Sequence, residues 1–474
     1  MNRPFETIAV AIIDGVGCGE ADDCEKTYPK DRGANSLTHA SLVEPINAPA
    51  LQSMGLHLIP GLIGLETKTR IQPEHVRGAY GALEPTFAGK GSPEGHQALM
   101  GWEVQEPYLY FDKDGFPTVL IAAIEQELAR LLHRPVEVIR YPGTDDVSGH
   151  KFINDPRIGK VHLESGGTLR DLPVMVRDDF CEAKIPHHDT GKSSQSATGE
   201  GDTSLKLPIY ASSDSVIQIA IHQDVLSQAT IEEIGHTVRE KVCNALGFRV
   251  GRVIMRPFIG TPGNFERVSA DRRDYASDPD GPTVIDHLTN ASVPVYGIGK
   301  AADMLNRHGF PDGSIEKGKD DMERMEILRQ WMQVNAPLPN PPTLGEGKLI
   351  FANLNATDEL YGHRRKPKEY VEHINMIDRT IGTIMHTMNN RTLLIITSDH
   401  GNDPTHTTRM DGSLKPHTNH TRERVPLLVY SPQMLKHIAL GIRQTYADIA
   451  ATIGENFGLQ ETFGHGKSFL KEIV

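Results

Sequence analysis

Two periods of apolar residues alternate along this chain. Short, largely apolar runs at Ile8–Ile13, Val216–Ile221, Arg252–Arg256, Val293–Ile298, Lys348–Leu354, Leu393–Thr397 and Val425–Tyr430 predict buried strands. Longer stretches with apolar residues at helical spacing predict helices over Val119–Leu132, Ile231–Leu246, Glu323–Val334, Tyr370–Met388 and Thr445–Phe457. Strands alternating with helices are the mark of an α/β fold with a mostly parallel sheet flanked by helices. Two polar stretches interrupt the pattern. Residues 146–206 are rich in Gly, Ser, Thr and Asp and read as a surface excursion or a substrate-gating lid; residues 405–419 form a second, shorter excursion.

The candidate chemistry lies just past the strand ends. Ile8–Ile13 runs into Asp14, and LLIIT (393–397) runs through Ser398 into Asp399, His400 and Gly401. Lys348–Leu354 leads to Asp358 and, five residues on, His363; His420 precedes the run at Val425–Tyr430. In open α/β sheets, ligands bind in the crevice beyond the carboxyl ends of the strands. Carboxylates mixed with imidazoles there suit Mn²⁺, Zn²⁺ or Fe²⁺, whereas carboxylates alone would lean towards Mg²⁺. An isolated Asp–His pair at a strand end is usually just a hydrogen-bonded turn. Three such clusters at three strand ends are hard to explain that way, and they predict a divalent-metal centre.

A seventh residue completes the set. Ser92 lies in the turn AGKGSPEGHQALMG (88–101), with a helix expected to begin near QALMG. A serine there is most often an N-cap. Beside a metal centre it is also placed to act as a nucleophile on a phosphoryl group cradled by backbone N–H groups, and Lys90 is placed to neutralise phosphate charge. The GxxxxGK[ST] spacing of a P-loop is absent. Gly15, Gly17 and Gly19 follow an acidic residue rather than precede one, which argues against a dinucleotide site.

Composition narrows the classes. A net charge of −13 is unsuited to a nucleic-acid surface, though not to a local basic pocket for a small phosphorylated substrate. Cys18, Cys24, Cys181 and Cys243 show no metal-binding spacing, so a reduced, cytoplasmic protein is expected. The first apolar run has no basic segment before it and ends in Asp14, and no apolar stretch approaches membrane-spanning length, so neither a signal peptide nor a membrane partner is expected. Because the candidate ligands come from the two ends of the chain, the middle reads as an inserted domain at 108–279, between core segments 1–107 and 280–474.

Taken together, DRGANSLTHAS (31–41), YASSDSVIQIA (210–220), GRVIMRPFIGTPGNFER (251–267), RRDYA (272–276), GIGKAADM (297–304), YGHRR (361–365), TSDHGNDP (397–404) and NHTRERVPLLVY (419–430) resemble the alkaline phosphatase superfamily of metalloenzymes and, within it, the phosphopentomutases. The resemblance implies an alkaline-phosphatase-like core with two Mn²⁺ ions and an inserted α/β cap domain that closes over a sugar. It implies one ion held by Asp14, Asp399, His400 and the nucleophile Ser92, and the other by Asp358, His363 and His420. It further implies that Ser212, Asp214, Arg252, Ile254, Arg272 and Lys300 line the substrate pocket, the arginines supplying bidentate phosphate recognition and Asp214 binding a sugar hydroxyl. The implied activity is transfer of phosphate between C5 and C1 of a pentose, through a phosphoserine enzyme and a bisphosphate that also serves as activator. The nucleophile turn departs from the family form GKDTxTGHWE. Serine replaces threonine, Gly91 replaces aspartate, and Gln97-Ala98 replace Trp-Glu, closer to the NSEVGH turn of cofactor-independent phosphoglycerate mutase. The rival expectations are a mutase for phosphoglycerate or a specialised sugar phosphate, a metal-dependent phosphohydrolase, and a metal-bound binding protein without turnover.

Overall fold

The strand Thr7–Ile13 lies at the middle of an eight-stranded sheet ordered Ile315–Glu316, Val295–Ile298, Lys348–Leu354, Thr7–Ile13, Thr392–Thr397, Val425–Tyr430, Ala79–Leu83, Ile438–Arg443. This computed structural model describes residues 3–111, 115–141, 205–211, 215–261, 264–333, 347–410 and 413–474. Every strand of the sheet runs the same way except Val425–Tyr430, which is antiparallel to both its neighbours. Register levels the central strands at their carboxyl ends, with Ile13 opposite Leu354 and Ile12 opposite Thr397. Asp14 and the segments after Leu354 and Thr397 therefore leave the sheet side by side. The reversal of Val425–Tyr430 brings its amino end, preceded by His420, to the same edge.

All seven residues of Thr7–Ile13 are buried, as expected for a strand covered on both faces. Ala9, Ala11 and Ile13 face one apolar cluster and Ile8, Val10 and Ile12 the other. The first cluster includes the helix Pro367–Thr387, which opens on proline and buries Tyr370, Ile374, Ile377, Ile381, Ile384 and Met385 along one stripe. Truncating one of these, for instance Ile377→Ala, costs about 2–5 kcal/mol in lost transfer energy and cavity formation.

The described residues divide into two compact units, Met1–Pro107 with Asp278–Val474, and Tyr108–Ser277. The second unit holds a six-stranded mixed sheet in the order Val136–Tyr141, Leu205–Tyr210, Val216–His222, Arg252–Thr261, Asn264–Arg267, with Arg273–Ala276 also paired to Arg252–Thr261. Helices Thr118–Leu132 and Gln228–Thr237 cover one face of this sheet, packing on Val253 and Met255. The second helix starts earlier than its apolar spacing predicts because Ser227 caps it, accepting from the Thr230 N–H at 3.3 Å. It then continues as a π-helical segment, Val238–Asn244.

The 405–419 excursion contains a two-stranded antiparallel hairpin, Thr407–Met410 with Ser413–Pro416. Apart from its last two residues, the 146–206 excursion lies outside the described residues, as do Cys181, Ser212 and Asp214. Cys18, Cys24 and Cys243 are buried free thiols. Among the described residues, no helix is long and apolar enough to cross a membrane.

Candidate metal centre

Asp14, Asp358, Asp399, His400 and His420 converge as two buried groups, Asp14–Asp399–His400 and Asp358–His400–His420, each with its ligand atoms within 4.8 Å of one another. His400 belongs to both, and its ring stacks on that of His420 at 3.7 Å between centroids. His363 joins the second group: its Nε2 is 3.4 Å from Asp358 Oδ2 and 3.1 Å from His420 Nε2.

The second atoms of these side chains show what the first are for. A backbone carbonyl can only accept, so a ring nitrogen bonded to one must be the donor. His363 Nδ1 donates to Thr418 O at 2.7 Å, His420 Nδ1 to Lys90 O at 3.0 Å and His400 Nδ1 to Gly401 O at 3.2 Å. In the neutral rings every Nε2 then presents a lone pair to the centre, the arrangement in which imidazoles bind metals. The Nε2 atoms of His363 and His420 lie 3.1 Å apart, close enough to face a single cation together.

The carboxylates tell the same story. Gly15 N donates to Asp399 Oδ1 at 3.3 Å, and Asn353 Nδ2 and Lys300 Nζ lie 3.0 and 2.6 Å from Asp14 Oδ2. The opposite oxygens, Asp14 Oδ1 and Asp399 Oδ2, are buried without a hydrogen-bond partner. They lie 3.6 and 3.3 Å from His400 Nε2. Burial, reinforced by the charge of Asp399, pushes the Asp14 carboxyl up to about 7. Burial acts on Asp399 in the same sense, but the groups packed around it, His96 and Lys300 among them, outweigh it and hold Asp399 well below the carboxylate range. Burial likewise opposes ionisation of Asp358, and His363 and His420 overcome it. Burial drives His400 down to about 3, so its ring is neutral. Buried carboxylates and imidazoles whose unbonded carboxylate oxygens and Nε2 atoms converge fit divalent cations.

Ser92 is not an N-cap. Gly91 occupies that position without a side-chain cap, and Ser92 opens the helix Ser92–Leu99. Its hydroxyl lies 3.0 Å from His400 Nε2 and 3.2 Å from Lys300 Nζ, and the residue is 2% exposed. With His400 Nδ1 already donating, Nε2 accepts the Ser92 O–H. The Lys90 ammonium lies 2.6 Å from buried Asp31, and its carbonyl orients His420.

Comparison with known proteins agrees with this centre. Residues 322–461, which carry five of the candidate ligands, match the Metalloenzyme superfamily. The phosphopentomutase of Caldanaerobacter subterraneus subsp. tengcongensis is similar to this chain over its full length, 33% identical over 470 residues that cover 99% of this chain and 98% of the relative. That of Herpetosiphon aurantiacus is 31% identical over 471 residues, 99% of each chain. This chain belongs to the phosphopentomutase family. The phosphoglycerate mutase of Leishmania mexicana, a solved structure, aligns over 98% of each chain at 10% identity and a TM-score of 0.41, a distance at which it adds nothing to the assignment.

Of the residues carried over from the phosphopentomutases for substrate, Lys300 lies at Ser92, in the unit that holds the ligands. Arg252, Ile254 and Arg272 lie in the other unit. Arg252 and Ile254 alternate with Val253 and Met255, so they occupy the sheet face opposite its helices. Asp274 pairs with Ile254 and shares that face. The Arg272 fork grips Asp274 with two bonds of 2.6 Å, and Arg252 is 3.9 Å away. Burial raises the Asp274 pKa, yet Arg272 and Arg252 overcome it and keep the carboxyl below its usual range.

Sequence reasoning overlooked His96, Asn353 and Asn402. Asn402 Nδ2 donates to Asp358 Oδ1 at 2.7 Å. Asn353 was visible as the one amide within the apolar run LIFANL, and a polar residue in a doubly covered strand needs a buried partner. His96 was visible only as a histidine four residues after Ser92, which at helical spacing shares its face.

Proposed function

We propose that this chain interconverts pentose 5-phosphate and pentose 1-phosphate, with Ser92 as the phosphate carrier. The observation that carries this reading is the placement of the Ser92 hydroxyl at a helix N-terminus, between the lone pair of His400 at 3.0 Å and the ammonium of Lys300 at 3.2 Å. Asp14, Asp399, His400 and Ser92 would hold one divalent ion and Asp358, His363 and His420 another. The mixed oxygen and nitrogen donors favour Mn²⁺. When bound, the ions supply Lewis-acid stabilisation of the phosphoryl oxygens and lower the pKa of the attacking hydroxyl.

The rest falls to the chain. With Ser92 phosphorylated, the free hydroxyl of the pentose phosphate forms a new P–O bond as the bond from phosphorus to Ser92 Oγ breaks. The hydroxyl proton passes in net terms to Oγ, leaving free Ser92 and a pentose bisphosphate. Lys300 offsets the negative charge that builds on Oγ as it departs. After the bisphosphate turns round, the same exchange in reverse returns the other phosphate to Ser92. A trace of pentose 1,5-bisphosphate serves as activator by charging the enzyme. Arg252 and Arg272 would supply positive charge for the phosphate that is not being transferred; Ile254 would supply an apolar contact, and Ser212 and Asp214 would bind sugar hydroxyls.

Phosphorus-31 NMR of the Mn²⁺-loaded protein with ribose 5-phosphate and a trace of ribose 1,5-bisphosphate tests this reading. Ribose 1-phosphate should appear without inorganic phosphate, and Ser92→Ala should abolish the exchange. Accumulating inorganic phosphate would make the protein a phosphohydrolase. An unchanged spectrum would direct the search to another phosphorylated metabolite. Full activity in Ser92→Ala would remove Ser92 as carrier.

A further inference from the structure

Asn353, the sixth residue of the strand Lys348–Leu354 and the one polar residue in its run Leu349–Leu354, is completely buried. Its Nδ2 donates to Asp14 Oδ2 at 3.0 Å, and its Oδ1 is 3.0 Å from His96 Nε2. The other ring nitrogen of His96, also completely buried, donates to Ser92 O at 2.8 Å. An unbroken chain of contacts therefore runs from the carbonyl of Ser92, through His96 and Asn353, to one oxygen of Asp14. It spans two elements, the helix Ser92–Leu99 and the strand Lys348–Leu354, and reaches the residue just past the end of a third.

This chain of contacts makes a choice. A carboxylate can offer either oxygen to a cation. With the Asn353 amide on Oδ2, Asp14 leaves Oδ1 without a hydrogen-bond partner, and Oδ1 is the oxygen turned towards His400. Ser92 O and Asn353 Oδ1 can only accept, so His96 donates from both ring nitrogens, and its Nε2–H holds Oδ1 and turns the amide nitrogen towards Asp14. The edge of the His96 ring also lies 3.3 Å from Asp399 Oδ2, the other unpartnered carboxylate oxygen.

We propose that Asn353 and His96 are a positioning pair that selects the liganding oxygen of Asp14 and ties it to the turn bearing Ser92. Neither touches the reacting atoms. They act on one ion site, that of Asp14, Asp399 and His400, and leave that of Asp358, His363 and His420 alone. The proposal rests on the two-ion reading of the centre. Groups of this kind behind a metal ligand commonly change metal affinity 10–100-fold when removed.

The test is Mn²⁺ titration of the full-length protein, monitored by the electron paramagnetic resonance signal of free Mn²⁺, with thermal melts as a check on folding. Asn353→Leu keeps the branched shape and removes the amide; His96→Gln is the independent second variant should the first fail to fold. Asp358→Asn is the comparison that weakens the other site. Wild type should bind two ions. Asn353→Leu should bind one with unchanged affinity and one about tenfold or more weaker, with kcat reduced, KM for pentose phosphate unchanged, and partial rescue by excess Mn²⁺. His96→Gln should weaken the same site to a lesser degree. Two ions bound at wild-type affinity in both variants, or equal weakening of both sites, would overturn the proposal while leaving the two-ion reading intact. Wild type that binds no Mn²⁺ would overturn both.

Discussion

Gly95 lies against the backbone of Asp399, so closely that a Cβ there would stand 2.1 Å from the Asp399 carbonyl oxygen. The helix of the proposed nucleophile and the turn of a candidate metal ligand are thus in direct backbone contact. Gly95→Ala should force them apart, destabilising the fold by about 1–3 kcal/mol. Displacing Ser92 from His400 by about 1 Å should cost about a hundredfold in kcat. Melting curves and steady-state kinetics on the same preparation would check both, and near-wild-type turnover would show that the contact relaxes without moving Ser92.

Lys300 links the Ser92 hydroxyl to Asp14, at 3.2 and 2.6 Å. Lys300→Met keeps the stem and deletes the charge. Its kcat should fall by about a hundredfold or more, the usual effect of removing one group that stabilises transition-state charge. Mn²⁺ stoichiometry should remain at the wild-type value. Rapid-quench measurement of Ser92 phosphorylation would show whether the loss lies in the transfer step.

Stripping metal with a chelator should lower the melting temperature reversibly. A ligand that binds only the folded state stabilises it by about 2.7 kcal/mol when present at a hundred times its Kd. Restoring Mn²⁺ should return the transition. A melting temperature indifferent to chelator and to Mn²⁺ would contradict the two-ion reading.

Asp378 offers a pH test away from the centre. It accepts the N–H groups of Leu51 at 2.8 Å and Ala50 at 3.2 Å, at the start of the helix Pro49–Met54. Burial nevertheless dominates and lifts its pKa from 3.8 to about 6. Between those values the folded chain binds the proton more tightly than the unfolded chain. Its contribution to stability is therefore full below about pH 4 and is lost as pH rises through about 6. Asp378→Asn should remove that slope, so that its stability relative to wild type rises by on the order of 2 kcal/mol between pH 4 and 7. Denaturant melts across that range would reveal it; parallel curves would show that the carboxyl titrates normally.

Much of this architecture is legible in the sequence because it is written in burial. Lys348–Leu354 and Val425–Tyr430 are buried throughout, and their apolar runs delimit them to the residue. Ala79–Leu83 escapes notice because AYGAL is short and dominated by small residues, and its place is set by pairing with Val425–Tyr430 and Ile438–Arg443. Ile438–Arg443 escapes because its register shifts at Gly441, where φ is +67°. At the centre, Asp14, Asp399 and His400 announce themselves by their places just beyond strands. The partners behind them do not. That the Lys90 carbonyl meets His420, and that Asn353 reaches Asp14, depends on pairings between residues hundreds of positions apart.

The hairpin Thr407–Pro416 is bound at its root. The Arg365 guanidinium donates to the carbonyls of Thr405, His406 and His417, and His417 N–H donates to His406 O. Arg365 lies two residues after His363, and the hairpin stands between His400 and His420 in the chain. A stem closed in this way insulates what lies on either side of it. Residues can be gained or lost beyond the clasp with little entropic penalty and no change in the spacing that His400 and His420 experience. The fold thereby separates a stretch of chain free to diverge in length and surface chemistry from ligands whose positions it cannot alter.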